Sequence, residues 1–193
     1  AGASFALAPV ASMAAISQTN TTNINDISGL SDITANAKPI TVEERKARIE
    51  KAQSLMKAQD IAAILVEPGA AMDYFSGIKW WRSERLTALV IPQKGDMAVV
   101  TPFFEKPSVL ESLAIGDDVR VWQEHESPFD VVANILKSRG ITSGNIGFES
   151  SVRYFVVTGV SQALPNMSIV PAEPITLGCR MYKTPSELAL MHK

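Results

Sequence analysis

The sequence predicts an α/β domain, a mixed β-sheet flanked by helices, preceded by an irregular arm that runs from apolar to polar. Three observations carry that prediction. Ile61 to Val66 (IAAILV) is a continuous apolar run bounded by Asp60 and by Glu67-Pro68-Gly69, the pattern of a strand covered on both faces. Leu86 to Ile91 and Met97 to Thr101 are two further strand-like runs separated by Pro92-Gln93-Lys94-Gly95-Asp96, a hairpin spacing that makes the sheet mixed rather than purely parallel. Helix signals alternate with strands along the rest of the chain.

The elements follow in order. Thr41-Val42-Glu43-Glu44 reads as a capping box, and Ala47, Ile49, Ala52, Leu55 and Met56 then recur at roughly helical spacing, which predicts a helix to about Gln59. After the first strand and the hairpin, Pro107 to Ala114 reads as a short helix and Val119 to Gln123 as an alternating strand. Pro128 to Arg139 reads as an amphipathic helix with proline at its start and Gly140 past its end. Asn145 to Phe148 reads as a buried strand, Val152 to Leu164 as a helix closed by Pro165, and Ser168 to Val170 as a last strand. Thr184-Pro185-Ser186-Glu187 opens a final helix, which runs to Lys193 without a cap and is expected to lead into a following domain.

Composition narrows the function. The 193 residues are 46% hydrophobic and 20% charged, enough for one soluble domain with a sizeable core plus an appendage. With 18 Lys and Arg against 20 Asp and Glu there is no basic surplus of the kind that nucleic acid or an anionic membrane demands. The one cysteine, Cys179, forms no intrachain disulfide and reads as a small apolar residue near a strand end. Ala1 to Ala15 is an uncharged run of small apolar residues, too short for a membrane span. It resembles the tail of a secretory signal with cleavage after Ala14, which implies export to the periplasm or outside, and a cytoplasmic location if it is no signal. Gln18 to Lys38, rich in Asn, Thr, Ser and Asp, reads as a linker or extended arm.

Self-sufficient chemistry is scarce. His125 and His192 lack a second ligand at metal-binding spacing, so no metal site and no catalytic residue is assigned in the chain. His125, between Glu124 and Glu126, reads as a solvated turn residue. Asp117-Asp118 and Glu43-Glu44 have adequate structural roles, and Gly140 to Gly144 follows a helix, the wrong order for a phosphate loop. Glu149 is placed at the carboxyl end of a strand, the side where α/β sheets take ligands. The densest block is Tyr74-Phe75-Ser76-Gly77, then Trp80-Trp81-Arg82, then Glu84-Arg85-Leu86. Adjacent tryptophans cannot share one side of a strand, so one of them or Arg82 is expected to point at a ligand, a partner chain or a neighbouring domain. Arg82 and Arg85 suit a bidentate grip on a carboxylate, with Glu84 pairing an arginine and the tryptophans forming a wall. An interface fits the same residues.

From about Ile40 to Lys193, four boxes resemble the amino-terminal domain of the creatinase/aminopeptidase P/prolidase family of Xaa-Pro peptidases. They are Tyr74-Phe75-Ser76-Gly77, Glu84-Arg85-Leu86, Pro102-Phe103-Phe104-Glu105 and Lys183-Thr184-Pro185-Ser186-Glu187-Leu188. The resemblance implies an arm over 1–39, a creatinase-like α/β domain over 40–182, and at 183–193 the start of a helix into a catalytic domain. In the family that domain holds two divalent metal ions on two Asp, one His and two Glu and cleaves an Xaa-Pro bond. None of those ligands is assigned here. The implied role is non-catalytic: supporting a homo-oligomer and lending a residue, with Trp80, Trp81 and Arg82 as candidates, to the neighbouring subunit's pocket for a proline-containing peptide. The same domain from a creatinase-like C–N hydrolase, and a stand-alone module that assembles or binds a small zwitterion, are the alternatives.

Overall fold

The computed structural model describes Gly29 and residues 31–193. The described residues fall in two units, divided between Asn36 and Ala37. The signal-like run Ala1 to Ala15 lies outside the described residues. Within the first unit the Asp32 carboxylate accepts the Thr34 amide at 2.8 Å and its hydroxyl at 2.6 Å, a local turn.

The second unit opens on the expected capping box. Thr41 Oγ1 accepts the Glu44 amide at 3.2 Å, and the Glu44 carboxylate accepts the Thr41 amide at 2.7 Å, starting α1 (Val42–Ala58). The buried stripe of α1 is Arg48, Ile49, Ala52 and Met56, while Ala47 is exposed and Leu55 half-buried. An arginine takes an inward place because acceptors wait there: Arg48 Nη1 donates to the Tyr74 carbonyl at 2.8 Å and Nη2 to Glu187 at 2.7 Å.

Among the described residues six strands form one sheet: β1 (Ile61–Val66), β2 (Ala88–Pro92), β3 (Ala98–Pro102), β4 (Val119–Trp122), β5 (Gly144–Phe148) and β6 (Met167–Pro171). Their spatial order is β4-β3-β2-β1-β5-β6. The hairpin pairs β2 and β3 antiparallel with Val90 opposite Ala98, and β2 also runs against β1, so β2 alone opposes the other five. β1 lies inside the sheet between β2 and β5, and both its faces are covered, as its continuous apolar run predicts.

Each face of the sheet builds its own core. Ile64, Val66, Leu89, Ile91 and Val99 point to the face carrying α1, α2 (Ala70–Ser76), α3 (Lys106–Ser112) and α6 (Glu173–Arg180). Ala63, Leu65, Ala88, Val90 and Val100 point to the face carrying α4 (Pro128–Ser138) and α5 (Tyr154–Ala163). The alternation is the period of two of a pleated strand. Fully buried residues such as Ile64, Leu65, Leu89 and Phe75 each contribute about 1.5–3 kcal/mol through burial alone.

Two helices were not anticipated. α2 has seven residues and follows Pro68-Gly69, which reads as a turn, and α6 carries Pro174 and Gly178 within eight residues, so neither offers a window long enough for a helical period. Cys179, expected near a strand end, is buried in α6 instead, and burial pushes its thiol pKa up. The last helix, α7 (Pro185–Met191), carries the second capping box: Thr184 Oγ1 accepts the Glu187 amide at 3.3 Å and Glu187 accepts the Thr184 amide at 2.8 Å.

Candidate functional site

Five strands end at one edge of the sheet, and β2 begins there. After β1 the chain turns to α2 on one face; after the adjacent parallel β5 it turns to α5 on the other. Such a divergence is the switch point at which open α/β sheets bind ligands. Here the protein fills it with its own ion pair. Glu67, the residue after β1, is fully buried. Its carboxylate accepts the Arg153 amide at 2.7 Å, Nε at 2.9 Å and Nη2 at 2.6 Å. A carboxylate at this depth is tolerable only with partners of that quality. Two more guanidinium hydrogens go to the Ser83 carbonyl and, at 3.3 Å, to the Arg85 carbonyl, so one side chain joins β1, the start of α5 and the loop before β2.

That loop carries the conspicuous block. Gly77 closes α2 at φ +85°, where a Cβ would meet the Ala114 Cβ at 2.6 Å, so both backbone and space demand glycine. Trp80 turns inward against the core, whereas Trp81 is 91% exposed, and Arg82 is exposed beside it. Arg82 Nε donates to the Pro68 carbonyl at 3.0 Å, which ties its guanidinium to the β1–α2 connection. Trp80, Trp81, Arg82, Lys79 and Asp73 thereby line one cleft of about 630 Å³.

The other predicted residues lie elsewhere. Arg85 is committed to Glu124, Nε to carboxylate 2.9 Å, and to Glu84, an ion pair that its raised pKa reflects, with Glu124 as the main cause. It stacks over Phe104 at 5.4 Å instead of forking onto the Arg82 cleft. Tyr74 faces the opposite way: its ring lies 4.0 Å under the Arg48 guanidinium, its hydroxyl donates to the Cys179 carbonyl at 3.1 Å, and burial raises its pKa. His125 is exposed in a turn where Glu126 caps the Gln123 amide at 2.7 Å. Glu149 lies at the carboxyl end of β5 and accepts the Ser151 hydroxyl at 3.0 Å. The Pro102-Phe103-Phe104-Glu105 box has a structural reason. Glu105 reaches back to the hydroxyls of Thr87 at 3.0 Å and Thr101 at 3.2 Å, holding the two exposed phenylalanine rings edge to face on the same rim.

Sequence reasoning missed Glu67 and Arg153, which are 86 positions apart. The available signal was a carboxylate ending an otherwise wholly apolar strand; its partner was not legible.

The model of the creatinase/prolidase N-terminal domain matches residues 48–182, well over half the chain. The chain belongs to the creatinase/prolidase N-terminal domain family. This creatinase/prolidase domain is 26% identical over 165 residues to an uncharacterized peptidase of Schizosaccharomyces pombe, covering 78% of the chain and 35% of that relative. It is 27% identical over 135 residues to a probable dipeptidase PepE of Mycobacterium bovis, covering 69% and 35%. Among solved structures, the dipeptidase PepE of Mycobacterium ulcerans superposes with a TM-score of 0.68 at 28% identity over 75% of this chain and 38% of that one. The N-terminal domain of an Xaa-Pro dipeptidase from Lactobacillus brevis superposes at 0.62 and 17% identity, covering 70% of this chain and 99% of that structure, a likeness of fold. The chain thus spans about a third of the length of its curated relatives. Among the described residues no group of three or more His, Cys, Asp or Glu is placed to hold a metal ion.

Proposed function

We propose that this domain serves an Xaa-Pro metallopeptidase as its non-catalytic amino-terminal part, assembling subunits and presenting Trp81 and Arg82 to the substrate pocket of a neighbour. The observation that carries the reading is the contrast between the two tryptophans: Trp80 anchors the loop in the core while Trp81 is 91% exposed. A large aromatic in water gains most from a partner surface, and Trp and Arg dominate binding hot spots. The loop is fixed from behind by Arg153 on the Ser83 and Arg85 carbonyls and by Arg82 on Pro68, so presenting these groups costs little ordering entropy. The dipeptidase names of the relatives support the substrate class, a proline-containing dipeptide. The two divalent metal ions and their water chemistry belong, in this reading, to a carboxyl-terminal catalytic domain of the parent protein.

The test uses the full-length gene product. Trp81→Ala should shift the sedimenting species toward monomer, and Arg82→Ala should raise KM for an Xaa-Pro dipeptide about tenfold or more with kcat little changed, as loss of a substrate contact does. Unaltered assembly and unaltered KM in the two variants would refute the role given to this loop.

A further inference from the structure

On the far side of Arg82 lies a second, smaller cleft of about 300 Å³, at the low end of the range for small-molecule sites. Its walls are the segments that follow the carboxyl ends of β1, β5 and β6, three neighbouring parallel strands, so it adjoins the switch point that the Glu67–Arg153 pair plugs. Four charged side chains line it: Arg82 and Arg180, Glu149 and Glu173. Among the described residues, no ion pair joins either arginine to either carboxylate. Arg82 spends only its Nε, on Pro68, and the Arg180 side chain makes no hydrogen bond among the described residues. Glu149 is steadied within its own loop by the Ser151 hydroxyl, and Glu173, at the start of α6, by the Ser150 amide of the loop after β5, which leaves lone pairs free on both.

Thr176, which also lines this cleft, is fully buried, and its hydroxyl has no hydrogen-bond partner among the described residues. An unmet buried hydroxyl is costly unless something supplies its partner. The charges narrow what that guest is. Two guanidinium groups and two carboxylates sum to zero, so a bare anion meets repulsion from the glutamates and a bare cation from the arginines. A molecule bearing both signs satisfies all four. We propose that this cleft binds a small free α-amino acid, its carboxylate on Arg82 and Arg180 and its ammonium on Glu149 and Glu173, with Thr176 hydrogen-bonding beneath. The inference is independent of any neighbouring subunit or catalytic domain, because every residue in it belongs to this chain.

Titration of the 193-residue chain with L-alanine, followed by amide chemical shifts, tests it, with acetate and methylammonium as half-ligands. Saturable shifts at 149–151 and 173–180 are expected for alanine, and no saturation for either half-ligand at the same concentration. Arg180→Ala should weaken binding about tenfold or more. Thr176→Val should weaken binding too, yet raise the thermal midpoint of the free chain, since it removes an unpartnered polar atom. Acetate binding as well as alanine does would overturn the zwitterion reading in favour of a plain anion site. Absence of saturation for alanine up to about 100 mM, or affinity unchanged in a folded Arg180→Ala or Thr176→Val variant, would overturn the site altogether. Arg82→Ala is avoided as a probe because Arg82 also serves the tryptophan cleft, and its loss would not distinguish this inference from the assembly reading.

Discussion

Arg153 is the residue through which most of the candidate edge is organised. It carries three bonds to a fully buried carboxylate, two to the loop that presents Trp81, and a stacking contact 4.7 Å from the Phe155 ring. A pair of this kind is weak support for stability when compared with an apolar replacement of both partners. Removing one partner is another matter, because the other is left charged and buried. The asymmetry between Glu67, with a side chain 0% exposed, and Arg153, at 27%, decides which removal is worse. Arg153→Met strands Glu67 and should cost about 3–5 kcal/mol in urea unfolding. Glu67→Gln leaves a guanidinium that can still reach water and should cost less. Equal losses, or a loss under about 1 kcal/mol for Arg153→Met, would mean that the switch point is not held by this pair.

At the scale of elements, legibility in the sequence followed length and pattern. β1, the β2–β3 hairpin, α1 and α4 were readable because each shows a long apolar run, a turn signature or a cap with periodic spacing. α2 and α6 were not, since tertiary contacts hold them: Arg45 and Arg48 donate to the Asp73 and Tyr74 carbonyls in the second half of α2, from a helix 26 to 29 positions earlier. The proposed site residues divide the same way. Local chemistry marks Trp81 and Arg82 as candidates, whereas Arg180 and Thr176 fall in a segment for which the sequence predicts no element. α7 shows the consequence for stability. With seven residues it is too short to persist alone, and Glu187 serves it twice, capping Thr184 and pairing with Arg48 at 2.7 Å in a half-sheltered contact with side-chain exposures of 8% and 16%. Arg48→Met should therefore release α7 first. Amide exchange at Leu188 to His192 is expected to quicken roughly tenfold or more while β1 amides stay protected. Equal quickening in both places would show global loosening instead of a local strut.

For the molecule as a whole, 18 basic against 20 acidic residues leave little net repulsion, so the response of stability to pH comes from specific groups. Asp118 is one of them. Partial burial pushes its pKa up, but Arg120 at 2.9 Å and Arg139 at 2.8 Å outweigh burial and hold the carboxyl below its ordinary value. Arg139 also donates to the Asp96 carbonyl at 3.1 Å, so the cluster ties the end of α4 to the start of β4 and to the hairpin turn. Glu173 is lowered in the same sense, since its bonds from Ser150 exceed the effect of burial. A group whose folded pKa is depressed stabilises the fold above its unfolded pKa, and that contribution disappears as pH falls through the folded value. The acid limb should thus steepen below about pH 5. Cys179 and Tyr74 act with the opposite sign: burial raises both, so stability falls as pH climbs through the ordinary thiol and phenol range. In Asp118→Asn the acid limb should flatten. The stability difference from the unsubstituted chain, measured by urea unfolding, should be constant between about pH 5 and 8 and shrink toward pH 3. A difference that is the same at both ends would mean that the Asp118 cluster stabilises the fold through packing alone, with its charge irrelevant.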